Sequence, residues 1–336
     1  MLAARFHAAH QPLVLEEVPT PAPAPDEVRV RVAAAGVCGT ELHFTEGLYA
    51  PAALPTTLGH EAAGTVEVVG TEVEGWSPGD RVVVDYYLFC GTCRWCVAGR
   101  QNLCLRPRGV LAFAADGAFA EQLVVPARCL VGLPETVPFE HAAPLCCAGA
   151  TSLHALSEAG VAAGEVVVVL GAGGVGLTAV TEARRRGATV VAVSRRAARR
   201  RAAIHAGAAA AVDLDGLPDT VAGLSDGQGA DVVLELAGVE ATMGVALEVL
   251  GRRGRLIFVG YSADTLTLSP LAMVVPEQRL LTSVGNTLPE LTAAVALAAS
   301  GQLVSPVDEV LPLAEVNTAL EQLRSGESVG RLVLTP

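Results

Sequence analysis

Apolar and polar positions change rhythm along this chain. Through the first 145 residues they come in short alternating runs. Val28-Arg29-Val30-Arg31-Val32 has a period of two, while 64–70 (GTVEVVG) and 80–85 (DRVVVD) are β-branched runs bounded by Gly, Pro or Asp. All three predict strands. Pro19, Pro21, Pro23 and Pro25 mark an extended, non-helical connection. This half is expected to be all-β, a distorted barrel with long loops.

Near residue 145 the rhythm shifts. Residues 165–176 (EVVVVLGAGGVG) predict a buried parallel strand running into a glycine turn. A helix is predicted over 174–186, a second strand over 188–194, and an Ala- and Arg-rich helix ending at His205. Further buried strands are predicted at 231–238 and 255–260, with helical segments between. Strands alternating with helices predict a doubly wound parallel sheet, an α/β fold. The stretch 288–336 carries a helix (288–300), a strand-like 307–313, another helix and a terminal RLVL strand.

Composition narrows the function. The chain has 336 residues, 51% apolar and 17% charged, so it can bury a large core, and its length suits about two domains of roughly 150 residues each. A net charge of −12 argues against broad nucleic-acid binding. The longest apolar stretch, Val166 to Val180, is interrupted by Gly171, Gly173, Gly174 and Gly176, so no membrane span is expected. The first 17 residues lack the apolar core of a signal peptide, and a soluble cytoplasmic protein is the expectation.

Gly171-Ala172-Gly173-Gly174-Val175-Gly176 fits G-x-G-x-x-G between a predicted strand and a predicted helix. The first glycine permits the tight turn and the second lets backbone approach a pyrophosphate. The third allows close helix–strand packing, with the helix N-terminus facing the anion. Where an NAD site usually ends its second strand on Asp or Glu, this chain has Ser194, Arg195 and Arg196. A hydroxyl and a guanidinium suit a 2′-phosphate that a carboxylate would repel, so NADP(H) is expected over NAD(H). The plainer alternative is a solvated basic helix face, since Arg199, Arg200 and Arg201 follow.

Eight cysteines remain, four of them in Cys90-x2-Cys93-x2-Cys96-x7-Cys104. Four thiolates at this spacing suit a closed, structural tetrahedral zinc site; an iron–sulfur site or a disulfide pair is the competing reading. Three other segments offer donors for an open site: Cys38, Thr40 and His43; His60 and Glu61; and Cys146, Cys147 and Thr151. Two cysteines and a histidine would leave one tetrahedral position for substrate, although a buried Cys is often only a small hydrophobe.

Taken in order, GVCGTELH, GHEAAGTVEVVG, GDRVVV, CGTCRWCVAGRQNLC, APLCCAGAT, GAGGVG and a terminal GRLVL resemble the zinc-dependent medium-chain alcohol dehydrogenase family over nearly the whole chain. The resemblance implies a GroES-like β-rich catalytic domain, residues 1–145 and 288–336, with two zinc sites. It also implies a Rossmann NAD(P)-binding domain, 146–287. It further implies Cys38, His60 and Cys147 as catalytic zinc ligands, and Glu61 beside that zinc. Thr40 would bond the alcohol and His43 would end a proton relay. Thr151 would contact the nicotinamide and Arg331 the pyrophosphate, with Tyr86 as a substrate-pocket aromatic. Glu41 stands where many members have Asp, a departure expected to matter little. The implied partners are an alcohol or carbonyl substrate and a second or further copies of the chain, as a homodimer or homotetramer. Two other readings compete: a zinc-stabilised NADPH-binding protein without hydride transfer, and a zinc-independent enoyl or quinone reductase.

Overall fold

The computed structural model describes residues 1–336 and resolves two compact units, Met1–Ala150 with Asn286–Pro336, and Thr151–Gly285. The division falls at Ala150 and Asn286 rather than at 145 and 288. The turn Ala143–Cys146 packs on the strand Glu61–Val69, which carries Cys146 and Cys147 into the first unit.

The first unit begins with strands β1 (Leu2–Phe6), β2 (Val14–Glu17), β3 (Glu27–Val37), β4 (Thr56–Thr57), β5 (Glu61–Val69), β6 (Arg81–Val84), β7 (Gln122–Pro126) and β8 (Leu130–Gly132). Helix α1 (Gly39–Thr45) follows β3 directly. Two more short helices, α2 (Arg94–Val97) and α3 (Phe139–Ala142), follow, and α4 (Ala148–Glu158) begins in this unit and has most of its length, from Thr151, in the second. β3 is the organising strand: its first half pairs antiparallel with β7 and its whole length with β5. It reads Val-x-Val-x-Val, and Val28, Val30 and Val32 all point into a core that also holds Phe6, Phe44 and Phe119. The period of two thus becomes one buried face, as a half-covered antiparallel strand requires.

The second unit is a six-stranded parallel sheet formed by β9 (Val166–Leu170), β10 (Thr189–Val193), β11 (Ala210–Val212), β12 (Ala230–Glu235), β13 (Leu250–Phe258) and β14 (Arg279–Thr282), in the order β11-β10-β9-β12-β13-β14. Between the strands lie α5 (Gly174–Arg185), α6 (Ala197–Ala206), α7 (Leu217–Leu224), α8 (Glu240–Val249) and α9 (Pro270–Val274). The unbroken apolar run of β9 has a direct cause. Val167 and Val169 pack with Ala179, Val180 and Ala183, while Val168 and Leu170 pack with Leu217, Val221 and Val249. Both faces are covered, so no position can be polar.

The chain then returns to the first unit with α10 (Leu288–Ala299), β15 (Val307–Pro312), α11 (Val316–Ser325) and β16 (Arg331–Thr335). β16 pairs with the end of β3, Leu332 opposite Val37, and completes a seven-stranded sheet. α10 opens with Thr287 and Glu290 in a reciprocal capping box.

One ionisable side chain in this sheet is poorly matched to its surroundings. Asp85 follows β6 and is fully buried; its Oδ1 accepts the Tyr87 N–H at 3.0 Å, while Oδ2 has no partner. Burial raises its carboxyl to about 7. The folded state therefore holds a proton that the unfolded chain releases near pH 4, and stability falls as pH rises through about 4 to 7. Asp85→Asn should flatten this dependence: its melting temperature, followed from pH 5 to 8, should drop by several degrees less than that of the wild type.

Candidate active site

Strand register builds the first cluster. In the β3–β5 pair Gly36 lies opposite Glu61, so Cys38, just beyond β3, and His60, just before β5, end close together. The turn Ala143–Cys146, packed on β5, delivers Cys147. One ligand atom from each of Cys38, His60, Glu61 and Cys147 falls within 4.8 Å of the others, and all four residues are buried. Gly36 is what leaves room: a Cβ there would stand 1.8 Å from Glu61 Oε2. Cys146 points elsewhere, its thiol donating to the Ala62 carbonyl at 3.3 Å.

Electrostatics set the protonation of this cluster. The Cys147 thiol, donating to Cys38, holds the Cys38 sulfur well below the usual thiol range; burial opposes this, and Arg331 and His60 reinforce it. Cys147 is pushed up correspondingly by that same bond and by burial. Burial raises the Glu61 carboxyl to about 8 despite Arg331. Arg331 lies 2.8 Å from Glu61 Oε1, an ion pair not oriented for hydrogen bonding, since neither Glu61 oxygen has a hydrogen-bond partner. Its Nη1 donates to the Val37 carbonyl at 3.5 Å. Two sulfurs, an imidazole and a buried carboxyl whose oxygens accept no hydrogen bond form a donor set suited to a cation. Zinc fits it, with three soft or borderline ligands and one position left over.

Glu41 bonds to two members of the cluster's framework. It is fully buried; Oε2 accepts the Cys38 N–H at 2.9 Å, and Oε1 accepts from His60 Nδ1 at 2.7 Å. Burial opposes a charged His60, but the Glu41 carboxylate and the Cys38 sulfur raise its pKa well above the ordinary imidazole value. With Nδ1 donating to Glu41, Nε2 is left for the ligand cluster. The signal was local: Cys38-x-x-Glu41 is a capping box with Cys in the usual Ser or Thr place.

Around the cluster, Thr40 Oγ1 lies 3.8 Å from Cys38 Sγ. Tyr86 stands edge-on to His60 at 5.2 Å between ring centroids, with the Tyr87 ring tilted against it at 4.5 Å. His43 packs on Tyr49 at 5.7 Å. Tyr49 and Tyr87 carried no sequence signal, because only the folded loops bring them here.

The second cluster is a lobe made of little else. α2 is four residues long, and Val97 and Leu105 are exposed. Sulfur separations are 3.5 Å for Cys93–Cys96, 3.9 Å for Cys90–Cys96 and 4.0 Å for Cys93–Cys104. Four thiolates about 2.3 Å from one zinc stand about 3.8 Å apart, so the lobe has the dimensions of that ion. All four cysteines are free. The Thr92 and Cys93 amides draw the Cys90 thiol down to about 5.

In the second unit Gly171 sits at φ +112°, and a Cβ on Gly176 would meet the Gly171 carbonyl oxygen at 1.8 Å. A Cβ on Gly173, the N-cap of α5, would meet nothing within 4 Å. The helix start, with Gly174 and Val175 in its first turn, is thus open to an anion, and the close helix–strand approach depends on Gly176. Ser194 and Arg195 follow β10 directly, with the Arg195 guanidinium exposed. Thr151 is buried in α4, and Arg331 opens β16 in the other unit.

Comparison with known proteins agrees with this picture. The alcohol dehydrogenase GroES-like domain matches residues 24–135, and the zinc-binding dehydrogenase domain matches 174–300. An NAD-dependent alcohol dehydrogenase of Sulfurisphaera tokodaii is 34% identical, with 100% of both chains covered. A D-arabinose 1-dehydrogenase (NADP(+)) of Saccharolobus solfataricus is 34% identical over 99% of this chain and 97% of its own. The crystal structure of the alcohol dehydrogenase from Aeropyrum pernix superposes with a TM-score of 0.94 at 34% identity, covering 100% of both chains. Its metal-ligand clusters, its sheets and these relatives together make this chain a zinc-dependent, nicotinamide-using member of the medium-chain alcohol dehydrogenase family.

Proposed function

We propose that the protein interconverts an alcohol and its aldehyde or ketone, with hydride passing to or from a nicotinamide cofactor. The observation that carries this reading is the buried convergence of Cys38, His60 and Cys147 beside Glu61. Those three residues would hold a catalytic zinc, and Cys90, Cys93, Cys96 and Cys104 a structural one. When bound, the zinc supplies Lewis acidity at the substrate oxygen and the nicotinamide supplies or accepts the hydride.

The chain's own residues do the rest. Glu41 orients His60. Glu61 and Arg331 balance charge around the ligands, and Arg331 in addition contacts the pyrophosphate. Thr40 accepts the alcohol proton and passes it outward to His43. Tyr86 forms one wall of the substrate pocket. Thr151 contacts the nicotinamide, and Gly171, Gly173, Gly174, Val175 and Gly176 cradle the pyrophosphate. A zinc-independent reductase would have no use for this ligand set, which disfavours that alternative. A non-catalytic NADPH-binding protein would need only the four-cysteine ion.

Ser194 and Arg195 favour NADP(H) over NAD(H), because no carboxylate stands at the end of β10 to repel a 2′-phosphate. Named relatives include both NAD-dependent enzymes and an NADP(+) enzyme. We also read the protein as a cytoplasmic homo-oligomer joined through its second unit. There β14 is an edge strand, and Leu271, Val274 and Val275 expose apolar side chains close by in sequence. No helix is long and apolar enough to cross a membrane.

Three measurements test this. Metal analysis should give two zinc ions per chain. Cys38→Ala, His60→Ala or Cys147→Ala should retain one and lose turnover by at least about a thousandfold, the scale of removing a metal's electrostatic contribution, whereas Cys146→Ala should keep both ions. A substrate panel followed by NADPH absorbance should show a kcat/KM ratio for NADPH over NADH well above one, and a ratio well below one defeats the NADP(H) assignment. Light scattering should give twice or four times the chain mass, and Val274→Glu should lower it.

A further inference from the structure

Strand order locates the dinucleotide crevice. From β9 the chain runs outward through β10 and β11, then returns to place β12 on the opposite side of β9. The order reverses between β9 and β12, and ligands of such sheets bind beyond the carboxyl ends of those strands. β9 ends there in the glycine turn. β12 ends there in Glu235, opposite Leu170.

Glu235 is fully buried and accepts three hydrogen bonds. Oε2 takes the Gly238 N–H at 2.7 Å, while Oε1 takes the Ala237 N–H at 3.2 Å and the Thr242 hydroxyl at 2.6 Å. The two amides can only donate, while the Thr242 hydroxyl also lies 2.9 Å from the Val239 carbonyl. Burial raises the Glu235 pKa, and the three bonds offset part of that rise.

What these bonds hold is the turn Leu236-Ala237-Gly238. Leu236 donates its N–H to the Leu170 carbonyl at 3.1 Å. A Cβ on Gly171 would come within 3.5 Å of Leu236 Cβ, and one on Gly176 within 3.4 Å of Leu236 Cδ1. The turn is therefore the wall facing the phosphate-binding glycines. Its other side is fixed as firmly. The Ser262 hydroxyl donates to the Gly238 carbonyl at 2.6 Å, and a Cβ on Gly260 would stand 2.3 Å from the Leu236 carbonyl carbon.

We propose that Glu235 is a positioning residue for the dinucleotide: by taking up the Ala237 and Gly238 amides and the Thr242 hydroxyl, it fixes the turn that sets the width of the crevice above Gly171–Gly176. The inference rests on the cofactor reading above. The two amides are committed inward, so the turn shapes the crevice rather than binding phosphate itself. In Glu235→Gln one acceptor oxygen becomes an NH2 group facing a donor, and at least one buried N–H or O–H loses its partner. The turn must then shift towards or away from the glycines to regain one. The effect acts on the crevice and not on the ribose 2′ position, so NADH and NADPH are affected alike.

The test titrates NADH and NADPH into the full-length zinc-loaded protein, following nicotinamide fluorescence, with melting temperature measured separately without cofactor. Glu235→Gln should raise both Kd values at least tenfold, and by the same factor. Thr242→Val, which removes one donor, should raise them about threefold. Glu182→Gln is the control: Glu182 is an equally buried carboxylate, bonded to Arg185 and Arg186 near the far end of α5. It should lower the melting temperature and leave both Kd values within twofold. Where Glu235→Gln fails to fold, Thr242→Val and Glu235→Asp, which keeps the charge on a shorter arm, carry the comparison. Wild-type binding with unaltered Kd values in these variants overturns the inference, as does a Glu182→Gln variant that loses affinity equally. A wild-type chain that binds neither dinucleotide overturns the functional reading, and this inference with it.

Discussion

The site depends on one antiparallel register. Pairing Gly36 with Glu61 places Cys38 and His60 at adjoining strand ends, and the absence of a side chain at Gly36 lets the Glu61 carboxyl sit between the strands. A slip of one residue would turn every side chain of β3 over and send Val28, Val30 and Val32 to the wrong face. The buried valines therefore fix the chemistry as well as the core. The same packing produces an electrostatic demand. Two sulfurs, an imidazole and two carboxyl groups lie together out of water, with Arg331 as the one permanent cation in contact. Burying such a set is costly unless charge is supplied. A divalent cation held by Cys38, His60 and Cys147 would meet that demand.

The second unit solves a different problem with backbone instead of charge. Its glycine turn works because atoms are missing: no Cβ at Gly176 to collide with the Gly171 carbonyl, and none at Gly173 to fill the approach to α5. Strand β9, covered on both faces, cannot carry a polar group along its length, so all the chemistry of this unit is displaced to strand ends. In both units the candidate site residues sit where a strand stops: Cys38 after β3, His60 before β5, the glycine turn after β9 and Glu235 at the end of β12.

Features whose cause is local were legible in the sequence. The spacing of Cys90, Cys93, Cys96 and Cys104 lets one short loop bring its four sulfurs into contacts of 3.5–4.0 Å. The run 166–170 and its glycines announce a covered parallel strand, and 28–32 a half-covered one. What stayed hidden depends on pairing between distant segments. Nothing near Arg331 in sequence points to Glu61; only the β16–β3 pairing brings them together. The contact of Tyr87 with Tyr86 and that of Tyr49 with Phe113 depend in the same way on how loops fold back. Cys146 and Cys147 could not be separated by composition. The turn they occupy aims one sulfur at the Ala62 carbonyl and the other at the cluster.

Glu41 joins two parts of the site through one side chain. Its two oxygens serve two partners, the Cys38 amide that starts α1 and the His60 ring. A single buried carboxylate caps a helix and orients an imidazole at once. As a result, the position of a metal ligand and the start of a structural helix are held by the same group, and neither can relax alone. Local stability and ligand geometry are thereby coupled at Cys38, which is both the N-cap of α1 and one of the two sulfurs of the cluster.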